Sequence, residues 1–161
     1  NALVFGFTAA WIFGRLGCTV AHDHPGLPTD FFLAVNFPEA RDGFPAGPRH
    51  DLGFYEFLWA VGLMTFFFLR RNKPEFAGYH TGVFLVAYTP IRFLNDFLRT
   101  ADVRYLGLTP GQYVALVLFP VGIWLLISRA KAREILIPGT DVHIFADGTP
   151  AILPKPPPSP G

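Results

Sequence analysis

The sequence predicts an all-α fold, a polytopic transmembrane helical bundle with about four spans and an outer-side loop between the first two. Hydrophobic residues make up 51% of the 161 residues, and 18 of them are phenylalanine. Charged residues make up only 16%, whereas soluble domains usually contain about 25%. The net charge of +1, without a basic face, gives no reason to expect nucleic acid as a partner.

Four apolar segments define the predicted spans, and a membrane helix needs about 20 residues. They cover residues 2–14, 52–69, 76–98 and 108–128. The first begins at the start of the chain, which opens on Asn1 and is expected to be the C-terminal part of a longer protein. Pro90 and a group of charges interrupt the third segment, and Pro120 predicts a kink that a membrane bundle tolerates in the fourth.

Short basic clusters predict the orientation of these segments. Arg70, Arg71 and Lys73 follow the second segment, and Arg129, Lys131 and Arg133 follow the fourth. Because such clusters remain cytoplasmic, the loop of residues 21–51 is expected on the outer side. Within this loop, residues 31–38 fit either an interfacial segment or a short strand, and periodicity leaves both open.

The end of the chain differs in kind from the rest. We predict a transmembrane transferase-like domain over residues 1–133 and a cytoplasmic Pro-rich tail over residues 134–161. The tail has a possible hairpin around Asp147-Gly148 and ends in "PKPPPSPG", which is typical of disorder.

A charged stripe stands out in the third segment. In one continuous helix, Arg92, Asp96 and Arg99 share a face, with Tyr88 one turn earlier. Charges in an apolar span are costly and usually mark a functional site. An internal ion pair between Asp96 and either arginine is the alternative. A guanidinium group suits phosphate, and Arg15, at the outer end of the first segment, supplies a second one. Two such groups predict a clamp for a phospholipid headgroup.

Four motifs occur in order along the chain. "GRLGCTVAHDHPG" contains Gly14, Arg15, Gly17 and Gly26, and "RHDLGFYE" contains His50, Tyr55 and Glu56. "AYTPIRFLNDFLRTAD" contains the stripe, and "LGLTPGQY" follows at the start of the last segment. Together these motifs resemble those of the prolipoprotein diacylglyceryl transferases of the bacterial inner membrane. The resemblance covers residues 1 to about 128.

The resemblance implies an enzyme that moves diacylglyceryl from phosphatidylglycerol to the lipobox cysteine thiol of a preprolipoprotein signal peptide, and so acts in lipoprotein maturation. The site would face the periplasm and contact membrane lipid. The resemblance implies Tyr88 and Arg92 as catalytic residues. The family's candidate catalytic histidine lies upstream of the matched part, and His50 is a local candidate for the base by its motif position. The implied substrate-binding residues are Arg15, Asp23, Gly26, Glu56 and Arg99, and no cofactor or metal is expected. Glu56 is also a candidate for orienting Arg15 or Arg92.

The chain departs from the family pattern at several motif positions. Cys18 and Ala21 stand where the family has Asn, and Asp23 stands where it has Glu. Asp51 and Gly53 replace Pro and Gln of the histidine motif. The alternatives are therefore a non-catalytic homologue that binds anionic phospholipid, or a transferase with another acceptor.

The polar residues of the outer loop leave further alternatives open. His50 fits a general base or a structural hydrogen bond. His22, Asp23 and His24 also fit a metal site, because imidazole and carboxylate bind zinc. Cys18 fits a small buried apolar residue better than a nucleophile.

Overall fold

The computed structural model describes residues 1–38, 45–73, 75–100, 102–132, 135–136, 142–144 and 150–152. Four helices dominate this part of the chain: α1 (Ala2–Ala21), α2 (Leu52–Arg70), α3 (Tyr79–Asn95) and α4 (Pro110–Ala132). The strands are β1 (Pro25–Pro28), β2 (Val35–Phe37), β3 (Gly47–Asp51), β4 (Glu75–Phe76), β5 (Ile135–Leu136), β6 (Val142–Ile144) and β7 (Pro150–Ile152).

Three helices are long and apolar enough to cross a membrane, namely α1, α2 and residues 110–128 of α4. Large apolar side chains are exposed along them, among them Leu3, Phe13, Leu69 and Trp124, as expected for surfaces that face lipid. The predicted membrane bundle is confirmed for these three helices. With 17 residues, α3 is about 26 Å long, so the fourth span remains a prediction.

One end of the bundle gathers four helix ends and a small antiparallel sheet of order β1-β3-β2. The Leu52 N–H at the start of α2 donates to His24 O (3.2 Å). Just after α3, Leu98 O accepts from Leu27 N–H of β1 (2.9 Å). We call this end the sheet end. At the other end, β4 after α2 pairs with β5 after α4 in a second sheet, of order β4-β5-β6-β7.

The structure adds two small sheets to the predicted all-α bundle. Strands of two to five residues rich in Pro and Gly show no alternation, so the sequence predicted only a possible short strand within residues 31–38 and a possible hairpin in the tail. The continuous helical stripe is wrong for Arg99, because α3 ends at Asn95 with Asp96 as its C-cap. Beyond the cap, Arg99 forms a bridge with Gly26 instead of continuing the helix. The open alternatives for residues 31–38 resolve as a strand at Val35–Phe37.

Local signals explain where the helices begin and end at the sheet end. The α1 helix ends at His22 in a left-handed conformation, with Asp23 N–H donating to Cys18 O and His22 N–H to Thr19 O, a Schellman motif. The Asp51 carboxylate caps α2 by accepting from Phe54 N–H (3.0 Å).

The start of α4 is a capping box. Thr109 Oγ1 accepts from Gln112 N–H (3.2 Å), and Gln112 Oε1 accepts from Thr109 N–H (2.9 Å). Pro110 lies at the first helical position, where its missing N–H costs nothing.

The tail contains β5, β6 and β7, and β6 pairs antiparallel with β7 from Val142↔Ile152 to Ile144↔Pro150. The predicted turn at Asp147-Gly148 and the predicted disordered end lie outside the described residues. The division into domains at residues 133 and 134 stays a prediction.

Candidate functional site

A buried carboxylate between two arginines forms the centre of the site. Glu56 of α2 has a side chain only 1% exposed. Its Oε2 lies 2.8 Å from Arg15 Nε of α1, and its Oε1 lies 3.4 Å from Arg92 Nη1 of α3. Both arginines suggested for the clamp therefore converge on one acid, and Glu56 orients each of them.

A second buried acid extends this centre. Asp96 is fully buried, and its Oδ1 lies 3.2 Å from Arg92 Nη2. Its other oxygen accepts a hydrogen bond from Thr109 Oγ1 (2.5 Å) at the cap of α4. Arg92 therefore bridges Glu56 and Asp96 with two different nitrogens, and this arrangement fixes the plane of its guanidinium group.

Arg99 lies at the edge of this network. Its Nε is 3.8 Å from Asp96 Oδ1, and its Nη1 donates to Asp102 Oδ2 (2.8 Å). The ion-pair alternative considered for the stripe is thus present for both arginines. Unlike Arg92, Arg99 makes no described contact with Glu56, so its predicted substrate-binding role has less geometric support.

Aromatic rings surround the two arginines. The guanidinium carbon of Arg15 lies 4.6 Å from the ring centroid of Trp11, a cation–π contact. Tyr88 packs edge-on against Trp11 at 5.5 Å, and its hydroxyl lies 3.5 Å from Glu56 Oε2. Tyr88 therefore lies beside the clamp, where the sequence suggested it.

The close approach of α4 to the clamp requires a glycine. A methyl group at Gly111 would overlap Asp96 Oδ2 and lie 3.0 Å from Arg92 Nη2. Together with the Thr109 cap, Gly111 holds the start of α4 against the buried acid. The motif around Gly111 is visible in the sequence, but the need for a glycine there is not, because the contact joins residues that are distant in the chain.

Two clefts lead away from the clamp, and each has an arginine in its lining. The first, of about 310 Å³, is lined by Tyr88, Thr89, Arg92, Pro110, Gly111, Val114, Ala115 and Leu118. The second, of about 280 Å³, is lined by Phe7, Ala10, Trp11, Gly14, Arg15 and Cys18. Each combines one charged group with mainly apolar walls, which suits an amphipathic ligand.

His50 lies in β3 at the sheet end, just before α2 begins. Its Nδ1 is 2.7 Å from the Tyr55 hydroxyl, and burial lowers the pKa of the imidazole below its ordinary value. No hydrogen bond or ion pair within the described ranges connects His50 to Arg15, Glu56 or Arg92. Gly26 is buried, and a side chain there would lie 2.8 Å from His50 O and 3.2 Å from Leu98 O, so this position requires glycine.

His24 lies beside Arg15 of the clamp, which the sequence did not predict. Its Nε2 lies 3.5 Å from Arg15 Nη1, and its Nδ1 contacts the Asp23 carboxylate. The same Arg15 nitrogen lies 3.9 Å from Cys18 Sγ. Asp23, a predicted substrate-binding residue, therefore reaches the clamp through His24. The left-handed turn at His22 causes this fold-back, which helix periodicity alone does not predict.

The positions where the chain departs from the motif pattern lie close together in space. A methyl group at Gly53 would lie 3.2 Å from both Asp51 Oδ1 and Cys18 Cβ. Asp51 is fully buried, and burial raises the pKa of its carboxyl. The altered residues therefore form one local region at the sheet end, next to Arg15.

Comparison with known proteins agrees with this arrangement. The family model described as prolipoprotein diacylglyceryl transferase matches residues 1–128. The chain belongs to this family. The predicted resemblance is thereby confirmed, and the chain is a multi-pass membrane protein of the prolipoprotein diacylglyceryl transferase family.

Curated relatives carry the same name. The phosphatidylglycerol-prolipoprotein diacylglyceryl transferase of Bordetella parapertussis is 34% identical over 127 residues, 74% of this chain and 47% of the relative. The protein of that name from Nitratidesulfovibrio vulgaris is 37% identical over 131 residues, 76% of this chain and 47% of the relative. The chain thus spans about half the length of these diacylglyceryl transferases. No solved structure matches it.

Proposed function

We propose that this protein transfers diacylglyceryl from phosphatidylglycerol to the lipobox cysteine thiol of a preprolipoprotein, at the periplasmic face of the bacterial inner membrane. The observation that carries the proposal is the convergence of Arg15 and Arg92 on the buried Glu56, beside two largely apolar clefts. Membership of the family, and the names of its relatives, support the same reaction.

The arginine pair suits the phosphate of the lipid donor. Each guanidinium group has five N–H donors, and Glu56 uses only part of them. Because Glu56 and Asp96 hold the two groups in place before the ligand arrives, little reorganisation is needed to bind phosphate. The glycerol phosphate leaves with negative charge, and the two arginines stabilise that charge as it develops.

The clefts suit the acyl chains of the donor. Val114, Ala115 and Leu118 line the cleft that contains Arg92. A phosphate at Arg92 would leave the diacylglyceryl part against these apolar side chains. Tyr88, between the two arginines, is placed to contact the glycerol region.

In the transfer itself, the cysteine sulfur forms a bond with the glycerol carbon while the bond from that carbon to the phosphate oxygen breaks. The thiol proton must pass to a base, because the thiolate is the nucleophile. We assign this role to His50, since its lowered pKa keeps the imidazole neutral and able to accept a proton near neutral pH.

The positions of the basic residues support the proposed orientation of the protein in the membrane. Arg70 and Arg71 lie at the end of α2 remote from the clamp, and Arg129 and Lys131, in the last turns of α4, lie at the same end of the bundle. If this end is cytoplasmic, the clamp faces the periplasm and α3 runs across the membrane as the fourth span.

The test is complementation in cells depleted of their own transferase, with lipobox-cysteine lipidation measured by mass spectrometry. The protein should restore lipidation, and Arg92→Ala should abolish it. Arg71→Ala is the matched control, since Arg71 is exposed and contacts Phe68 at the other end of the bundle.

Two results would contradict the proposal. Lipidation that survives in Arg92→Ala would remove the clamp from the mechanism. A well-inserted protein that retains phosphatidylglycerol on purification but yields no lipidation would favour the lipid-binding homologue or another acceptor.

A further inference from the structure

We propose that Cys18, Asp23 and His24 bind a divalent transition metal of the zinc type at the sheet end, next to the arginine clamp. A ligand atom of each residue lies within 4.8 Å of the other two. Thiolate, imidazole and carboxylate are the protein ligands that zinc selects, at bond lengths of about 2.0 to 2.3 Å. The inference does not depend on the transfer reaction.

The local fold holds these three residues together. Cys18 lies in the last turn of α1, and the left-handed residue His22 reverses the chain immediately after it. The hydrogen bond from Asp23 N–H to Cys18 O closes this turn, so Asp23 and His24 return over the helix end. The His24 carbonyl also accepts from Leu52 N–H, which fixes the returning segment to α2. The three donors are therefore brought together by backbone hydrogen bonds before any metal binds.

A buried acid beside the cluster is an independent indication of a cation. Asp51 is fully buried, and its Oδ2 has no hydrogen-bond partner among the described residues. Asp51 and Cys18 flank Gly53, because a methyl group there would lie 3.2 Å from Asp51 Oδ1 and from Cys18 Cβ. Asp51 Oδ1 accepts from Phe54 N–H, but a buried carboxylate with one oxygen unpaired is costly, and a metal cation held by the neighbouring ligands would compensate its charge.

Arg15 is the competing cation. Its Nη1 lies 3.5 Å from His24 Nε2 and 3.9 Å from Cys18 Sγ, distances too long for strong hydrogen bonds. The short contact of Arg15 is the one between its Nε and Glu56, at 2.8 Å. A metal at Cys18 and His24 would therefore compete with these two long contacts of Arg15 and not with its short Glu56 pair.

This site differs from the one that the sequence indicates, because His22 is not among its ligands. Its ring packs edge-on against Phe37 at 5.0 Å, and its Nδ1 lies 3.1 Å from Val20 O. His22 is thus held away from the cluster, and the third ligand is Cys18 instead of His22. A His22→Gln variant is consequently a matched control for His24→Gln.

The experiment is a titration of the purified protein in detergent with Co²⁺, followed by absorption spectroscopy and then by displacement with Zn²⁺. We expect one equivalent of Co²⁺ to bind with the sulfur-to-cobalt charge-transfer band of a thiolate ligand, and Zn²⁺ to remove that band. Cys18→Ser should abolish the band. His24→Gln and Asp23→Asn should weaken binding about tenfold or more, as should Asp51→Asn through the surrounding charge.

The same experiment can overturn the proposal. The absence of a thiolate band in wild-type protein that elutes as a single folded species would do so, as would a band that persists in Cys18→Ser. Loss of affinity in His22→Gln equal to that in His24→Gln would also contradict it, because the structure turns His22 away. Circular dichroism of each variant separates loss of the metal from loss of the fold.

Discussion

The Arg15 Nε and Glu56 Oε2 atoms lie 2.8 Å apart, and this pair joins α1 to α2 around a carboxylate that is 1% exposed. The same carboxylate accepts Arg92 from α3. Removing it would leave Arg15 without its short ion pair and Arg92 with Asp96 as its remaining ion-pair partner among the described residues. Breaking a buried pair by removing one partner costs about 3 to 5 kcal/mol, so Glu56 is expected to contribute to both stability and function.

We predict that Glu56→Gln lowers the rate of lipidation about a hundredfold and lowers the thermal unfolding temperature in detergent. Both effects follow from losing the negative charge that orients the arginines. Glu75→Gln is the matched control, because Glu75 pairs with Arg70 (2.6 Å) at the opposite end of α2. Wild-type lipidation by Glu56→Gln would show that the orientation of the arginines does not limit the reaction.

Gly111→Ala should reduce lipidation about tenfold or more. The added methyl group would displace Asp96 or Arg92, and Asp96 is fully buried and has little room to move. Overpacking of this kind typically costs about 1 to 3 kcal/mol, and small displacements of a catalytic group can cost a hundredfold in rate. The measurement compares initial rates at equal amounts of membrane-inserted protein.

The control for Gly111→Ala is Gly62→Ala in the middle of α2. A methyl group at Gly62 meets no atom within 4 Å, and alanine favours the helix. Gly62→Ala should therefore keep full activity. Equal activities of the two variants would argue against tight packing of α4 on the clamp.

The pH dependence of the reaction tests His50. Burial lowers the pKa of His50 below its ordinary value of 6.5, so the neutral base persists to more acidic pH than a free imidazole would. Lipidation should therefore persist to more acidic pH than it would with a base of ordinary imidazole pKa. His50 makes the stability of the fold depend on pH in the same direction. Its pKa is higher in the unfolded chain than in the folded one, so the unfolded chain binds the proton first and the free energy of unfolding decreases as the pH falls below 6.5.

His50→Gln should remove most of the activity and flatten this profile, because glutamine does not titrate. The profile is best measured as the initial rate of lipidation in proteoliposomes at constant ionic strength. A profile in His50→Gln that matches wild type would assign the proton transfer to another group.

The sequence predicted the clamp better than the surroundings that hold it. Arg92 was found because a charge in an apolar segment is costly and therefore informative. Arg15 was found as a second guanidinium group at the end of the first apolar segment, and Glu56 through the motif that resembles the family's. The end of α3 before Arg99 was missed, because it depends on hydrogen bonds to β1, more than 70 residues earlier in the chain. Helix periodicity depends on the spacing of neighbouring residues and gives no information about such a long-range contact.

The residues around Cys18 show the same limit. The sequence grouped His22 with Asp23 and His24 because they are adjacent. The left-handed conformation of His22 instead separates its ring from theirs and brings Cys18 into the group. A non-glycine residue in that conformation is uncommon, so no sequence rule would have predicted it there.

Thr109→Val should destabilise the protein by about 1 to 3 kcal/mol, because valine has the same shape but no hydroxyl group. The change removes the cap of α4 and the hydrogen bond that Thr109 Oγ1 donates to the buried Asp96 (2.5 Å). Thr109→Ser keeps both contacts and should recover most of the stability, as judged by thermal unfolding in detergent. Thr65→Val is the control, because the Thr65 hydroxyl is exposed and donates to Val61 O within the same turn of α2. If Thr109→Val unfolds at the same temperature as Thr65→Val, the Thr109–Asp96 contact does not stabilise the clamp, and Gly111 alone must position α4 against it.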